Sequence, residues 1–89
     1  MNAQRDAIKL SIVFLNYNRI AETRYTLAHL HTLLRNRDDI EVIAVDNASV
    51  DGTPEFLRTQ TWIHQICLDT NTGIAGYNQG FAQAQGKYI

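Results

Sequence analysis

The chain has 89 residues, 45% hydrophobic and 19% charged, with a formal net charge of −1, the balance of an ordinary globular piece. Its eight Lys and Arg are scattered, which excludes the basic footprint of a nucleic-acid or anionic-membrane binder. A single cysteine, Cys67, excludes an internal disulfide framework and any multi-cysteine zinc site, while the lack of a signal-peptide pattern or an apolar run near ~20 residues points to a cytoplasmic protein without a membrane span.

Lys9 to Leu15 is a nearly continuous apolar run with β-branched members, so a buried first strand is predicted there. Asn16-Tyr17-Asn18-Arg19 is a polar connection. Ile20 to about Asn36 reads as a helix, with Leu27, Leu30 and Leu34 on one face and Leu33 beside them. Ile40 to Val45 is a second apolar strand with Asp46 at its C-terminal end. The turn-rich loop Asn47 to Gly52 leads to a short helix, for which Thr53 is the expected N-cap and Pro54 the first helical residue. Trp62 to Leu68 reads as a third strand near an edge. Ile74 to Gln85 reads as a helix weakened by Gly76 and Gly80, with Gly86 able to end it. Lys87-Tyr88-Ile89 looks like the start of a fourth strand.

This βαβαβα order predicts an α/β fold with a mostly parallel open sheet, in one domain spanning residues 1–89. The fourth strand is expected beside the first. With only three residues of it, the first strand is expected to keep an open edge, and such an edge recruits another chain, so self-association, or a truncated gene product, is expected.

In an open parallel sheet, ligands bind beyond the C-terminal ends of the strands. The loops there begin at Asn16, Asp46 and Asp69. Asp46 is the strongest single candidate, because a rigid strand holds it at that edge. Its carboxylate, an acceptor only, could take the imide N–H of uracil or thymine, or ribose hydroxyls; it could equally cap a local turn. Tyr17 could stack on a base or pack on the following helix; Arg19 is expected to be solvated. Asp51, Gly52 and Thr53 are better explained as a turn and helix cap, with Asp51 accepting N–H groups near the helix start. Small residues around Gly73, Gly76, Asn78 and Gly80 suit either a close ligand or close helix–sheet packing. Their spacing is not the dinucleotide-binding glycine pattern, and no phosphate loop exists. His29 and His31, two apart on a helix, make a poor metal pair. Cys67 is expected to be a buried, inert thiol.

Four blocks together resemble the start of family 2 glycosyltransferases. They are Ser11 to Arg19, Val45-Asp46-Asn47-Ala48-Ser49-Val50-Asp51-Gly52-Thr53, Asn71 to Gly80, and Ala84 to Ile89. The resemblance implies the Rossmann-like N-terminal half of a GT-A fold, and transfer of a sugar, with inversion, from a nucleoside-diphosphate sugar of UDP or dTDP type to an acceptor hydroxyl on a cell-surface polysaccharide or similar glycan. It implies nucleotide-binding roles for Leu15, Asn16, Tyr17, Asp46 and Asn78. Leu15-Asn16 and Gly76-Tyr77-Asn78 depart from the commoner family residues and look closer to the rhamnosyltransferase-like branch. A divalent cation, Mg or Mn, is implied for the complete enzyme, held by an Asp-x-Asp motif expected shortly beyond Ile89. The general base is expected further on, so no catalytic residue is assigned in this chain and the 89 residues alone are expected to be inactive. Peripheral association with the inner membrane face is the alternative to a free cytoplasmic enzyme. The competing reading is a non-catalytic nucleotide-binding or interaction module on the same half-sheet.

Overall fold

The computed structural model describes residues 8–89. Strand β1 (Leu10–Asn16) leads into helix α1 (Ile20–Leu34), then β2 (Ile40–Asp46), α2 (Thr53–Arg58) and β3 (His64–Cys67). A 3-10 turn, Gly73–Gly76, runs directly into helix α3 (Tyr77–Gln83). The three strands form one parallel sheet in the order β1-β2-β3. Its α/β architecture is the one expected, with the third strand at an edge.

Two layers cover the sheet because side chains alternate between its faces. On one face Val42 and Ala44 of β2 pack with Leu27 of α1 and Leu57 of α2, and Ile12, Phe14, Leu30 and Leu34 close around them. On the other face α3 lies very close. A Cβ on Gly80 would run into Val13 Cγ1, and one on Gly76 would sit 2.8 Å from Leu15 Cδ1. Close helix–sheet packing is therefore what these two glycines permit.

The fourth segment pairs where expected. Tyr88 bridges Leu10 in parallel, with Ser11 N–H donating to Tyr88 C=O and Tyr88 N–H to Lys9 C=O, each at 2.8 Å. A buried polar clamp holds this return. Ser11 Oγ donates to Glu41 Oε2 at 2.5 Å, Gln85 N–H donates to the same oxygen at 2.6 Å, and Gly86 N–H donates to Ser11 Oγ at 2.8 Å. Glu41 interrupts the otherwise apolar run of β2.

Several boundaries differ from expectation. β3 is four residues, not seven, because Trp62 and Ile63 turn into the core beside α1 and α2. Leu33 does not join the apolar face of α1; it is 72% exposed. Gly52, at φ 93°, takes the N-cap place of α2, so Thr53 is its first residue and Pro54 its second. The region from Gly73 starts as a 3-10 turn, and α3 ends before Ala84, whose backbone is extended, so Gly86 does not terminate it. Gly86 instead lies against β1, where a Cβ would stand 2.6 Å from Ser11 N.

Candidate functional site

Register brings the ends of the three strands level. Asn16 pairs with Asp46, and Asp46 with Cys67, so the loops that follow leave the sheet side by side. The loop after β2 is the hub of this edge, and each of its polar residues is committed to a different neighbour.

Asp46 is fully buried. Its Oδ1 accepts the Ser49 hydroxyl at 2.7 Å and its Oδ2 the Ser49 N–H at 2.8 Å. The carboxylate thus closes a local turn, and it presents no surface to a groove. Of the two readings of Asp46, the local cap is the one these bonds describe. An ionised acceptor at a strand end is satisfied most cheaply by the N–H and O–H groups of its own loop.

Ser49 also reaches the first loop. Its Oγ accepts Asn18 N–H at 2.8 Å, and Asn18 Oδ1 accepts Val50 N–H at 2.8 Å. Asn18 takes a left-handed backbone, φ 50°, which Asn tolerates better than most residues. Asp51 binds two helix starts at once: Ile20 N–H at 2.9 Å, and the Thr53 N–H and hydroxyl at 3.1 and 2.5 Å. The Thr53 hydroxyl, assisted by main-chain N–H groups, holds the Asp51 carboxyl below the usual aspartate range. Asp51 therefore closes the turn before α2 and holds the start of α1 as well.

Asn47 faces the third loop. Its Nδ2 donates to Gly73 C=O at 2.9 Å, and its Oδ1 accepts Thr72 N–H at 2.8 Å and Thr72 Oγ1 at 3.2 Å. Asn16 is 7% exposed and equally occupied, its Oδ1 accepting Thr23 Oγ1 at 2.8 Å and its Nδ2 donating to Val45 C=O at 3.3 Å. Among the described residues no buried side-chain polar atom lacks a partner. The functions of Asn47, Ser49 and Asn18 were not read from the sequence. A run of Asp, Asn and Ser at a strand end signals turn chemistry but does not name the partners.

Tyr17 is 48% exposed and lies at a cavity of about 580 Å3 between β1 and α1, whose walls include Ile12, Phe14, Leu15, Asn16 and Leu30. Asn78 is exposed and lines a different recess, with Ile74, Tyr77 and Phe81. Leu15 touches both regions, at the cavity wall and beneath Gly76. Asp69 is exposed, and Arg19 is solvated beside Glu22, 3.8 Å away. His31 stacks on Trp62 with ring centroids 4.6 Å apart, and His64 stands 3.5 Å from Glu41. Cys67 is partly buried, and that burial pushes its thiol pKa up. Among the described residues no group of three or more His, Cys, Asp or Glu could hold a metal ion. No helix among them is long and apolar enough to cross a membrane.

Residues 11–89 match the profile of Glycosyl transferase family 2, nearly the whole chain. The chain belongs to glycosyl transferase family 2. A similar solved structure is the mannosyltransferase PcManGT from Pyrobaculum calidifontis, in complex with GDP-Man and Mn2+. It is 25% identical with a TM-score of 0.71, the match covering 85% of this chain and 24% of that one. The chain thus spans about a quarter of that glycosyltransferase's length. No curated protein matches the chain. The glycosyltransferase fold and the polar strand-end loops therefore occur together.

Proposed function

We propose that this chain forms the nucleotide-sugar-binding part of an inverting glycosyltransferase, which passes a sugar from a nucleoside diphosphate to an acceptor hydroxyl of a cell-surface polysaccharide or similar glycan. The observation that carries the reading is the level alignment of Asn16 and Asp46 at the C-terminal ends of two parallel strands, in a chain of this family. Ligands of open α/β sheets sit at that edge. Leu15, Asn16, Tyr17, Asp46 and Asn78 are assigned to the seat. Tyr17 offers the exposed ring for stacking. Asp46 and Asn16 build the floor, and a direct bond from Asp46 to a base N–H requires Ser49 to turn aside.

The proposed donor is of UDP or dTDP type, with dTDP-rhamnose as the specific candidate. The GDP-Man of the PcManGT complex supports the nucleoside-diphosphate class; guanine, like uracil and thymine, carries a ring N–H donor, and adenine does not. A divalent cation would neutralise charge on the leaving diphosphate. The general base for the acceptor hydroxyl and the ligands of that cation are assigned to segments outside these residues. The chain alone is therefore expected to bind nucleotide weakly and transfer no sugar.

Calorimetric titration with UDP, dTDP, GDP and ADP tests the reading. Preference for UDP or dTDP over ADP, reduced in Tyr17→Ala, supports it; equal binding of all four, or none, overturns it. We further infer self-association through β1, whose edge beyond Ser11 has no partner strand among the described residues. A clean monomer by sedimentation at high concentration would remove that inference.

A further inference from the structure

We propose that Asn47 is a positioning residue for the nucleotide seat: its buried carboxamide sets where the third loop, and with it the Gly73–Gly76 turn and α3, stand against the central strand. The proposal rests on the nucleotide-binding reading above. Asn47 directly follows β2 and is 2% exposed. Its main-chain N–H donates to Asn16 C=O at 2.8 Å, so it is anchored to the end of β1 as well. One residue therefore ties all three strand-end loops together, and the helix that carries Asn78 is fixed through it.

The chemistry is specific to an amide. At this place one atom must accept from Thr72 N–H while its neighbour donates to Gly73 C=O. Asn offers one of each. An ionised Asp would still accept from Thr72, but its second oxygen would face the Gly73 carbonyl, acceptor against acceptor. A protonated Asp restores the donor, and burial favours that neutral form. Asn47→Asp should therefore act as a loop clamp that works in acid and fails at neutral pH, whereas Asn47→Ala fails at every pH.

Two readouts on the 89-residue chain test this. The first is amide hydrogen exchange at Thr72 and Gly76. The second is affinity for UDP, given as the ratio of variant to wild type at the same pH, which cancels the titration of the nucleotide itself. We expect Asn47→Ala to speed exchange at both amides and to weaken UDP binding about tenfold, the effect of losing one or two buried hydrogen bonds. Asn47→Asp should match the Ala variant at pH 8 and return toward wild type at pH 5 in both readouts. The proposal fails if Asn47→Asp shows no such pH dependence, if Asn47→Ala leaves Thr72 exchange unchanged, or if exchange quickens while UDP affinity stays at the wild-type level. Should the wild-type chain bind neither UDP nor dTDP, the nucleotide reading fails, and the pH-dependent exchange of Asn47→Asp alone decides whether Asn47 sets the loop.

Discussion

Ser49 holds both oxygens of Asp46, through its hydroxyl at 2.7 Å and its main-chain N–H at 2.8 Å, and the same hydroxyl accepts Asn18 N–H from the neighbouring loop. A carboxylate sealed inside the sheet edge thereby reaches two loops through one serine. Ser49→Ala would leave Asp46 Oδ1 and Asn18 N–H without partners. Removing one such charge-assisted bond costs about 2 kcal/mol, so the melting temperature should fall by roughly 10 °C. Asp46→Ala should fall further, since the Ser49 N–H and hydroxyl both lose their acceptor. Thermal melts followed by circular dichroism would check the order; a Ser49→Ala protein as stable as wild type would show that the clasp holds nothing.

Asp51 gives the edge an acid sensitivity. Hydrogen bonds from the Thr53 hydroxyl, and from the Thr53 and Ile20 N–H groups, depress its pKa in the folded chain. The unfolded value is about 3.9. A depressed folded pKa contributes stability that is present above the unfolded value and is lost as pH falls through the folded one. Wild type should therefore lose stability below about pH 4, while Asp51→Asn, already lacking the charge, should be less stable at pH 6 and flatter below it. Urea midpoints from pH 6 down to pH 2 measure both slopes.

Gly80 sets how closely α3 can approach the sheet. A methyl there would collide with Val13 and stand 3.1 Å from Val45 Cγ2. Helix propensity alone favours Ala by about 1 kcal/mol, but overpacking costs about 1–3 kcal/mol, so Gly80→Ala should destabilise. Gly73→Ala is the control. Nothing lies within 4 Å of that position, but its φ is +62°, and the left-handed backbone costs about 1–2 kcal/mol for a residue with a Cβ. Near-ultraviolet circular dichroism should change for the Gly80 variant only, because only there must packing shift.

Glu41 is the buried acceptor that locks the returning chain to β1. Glu41→Ala would strand the Ser11 hydroxyl and Gln85 N–H, each at about 1–3 kcal/mol, and should abolish exchange protection at Ser11 and Tyr88, whose amides form the bridge. Glu41→Gln keeps one acceptor oxygen and should lose less. Equal protection in both variants would mean that the main-chain bridge holds without the clamp.

The local pattern of the chain already contained much of this molecule. The apolar runs before Asn16 and Asp46 marked two parallel strands, the Leu27, Leu30 and Leu34 spacing marked the buried stripe of α1, and Asp46 was placed at the rim. These follow from periodicity, because which face of a strand or helix is apolar is a property of neighbouring residues. The partners of the polar groups were not legible. Ser49 could be read as a turn residue, but not as the acceptor for Asn18, 31 residues away, nor Asn47 as the holder of Thr72, 25 residues on. Glu41 could be noticed as a charge in an apolar strand, yet its partner Gln85 is 44 residues distant. Such pairings depend on strand register and on how far each loop projects, which arise only when the sheet assembles. Asp46 differs, since its partner Ser49 lies three residues on in the same loop, and what the assembled sheet decides there is that the carboxylate is buried.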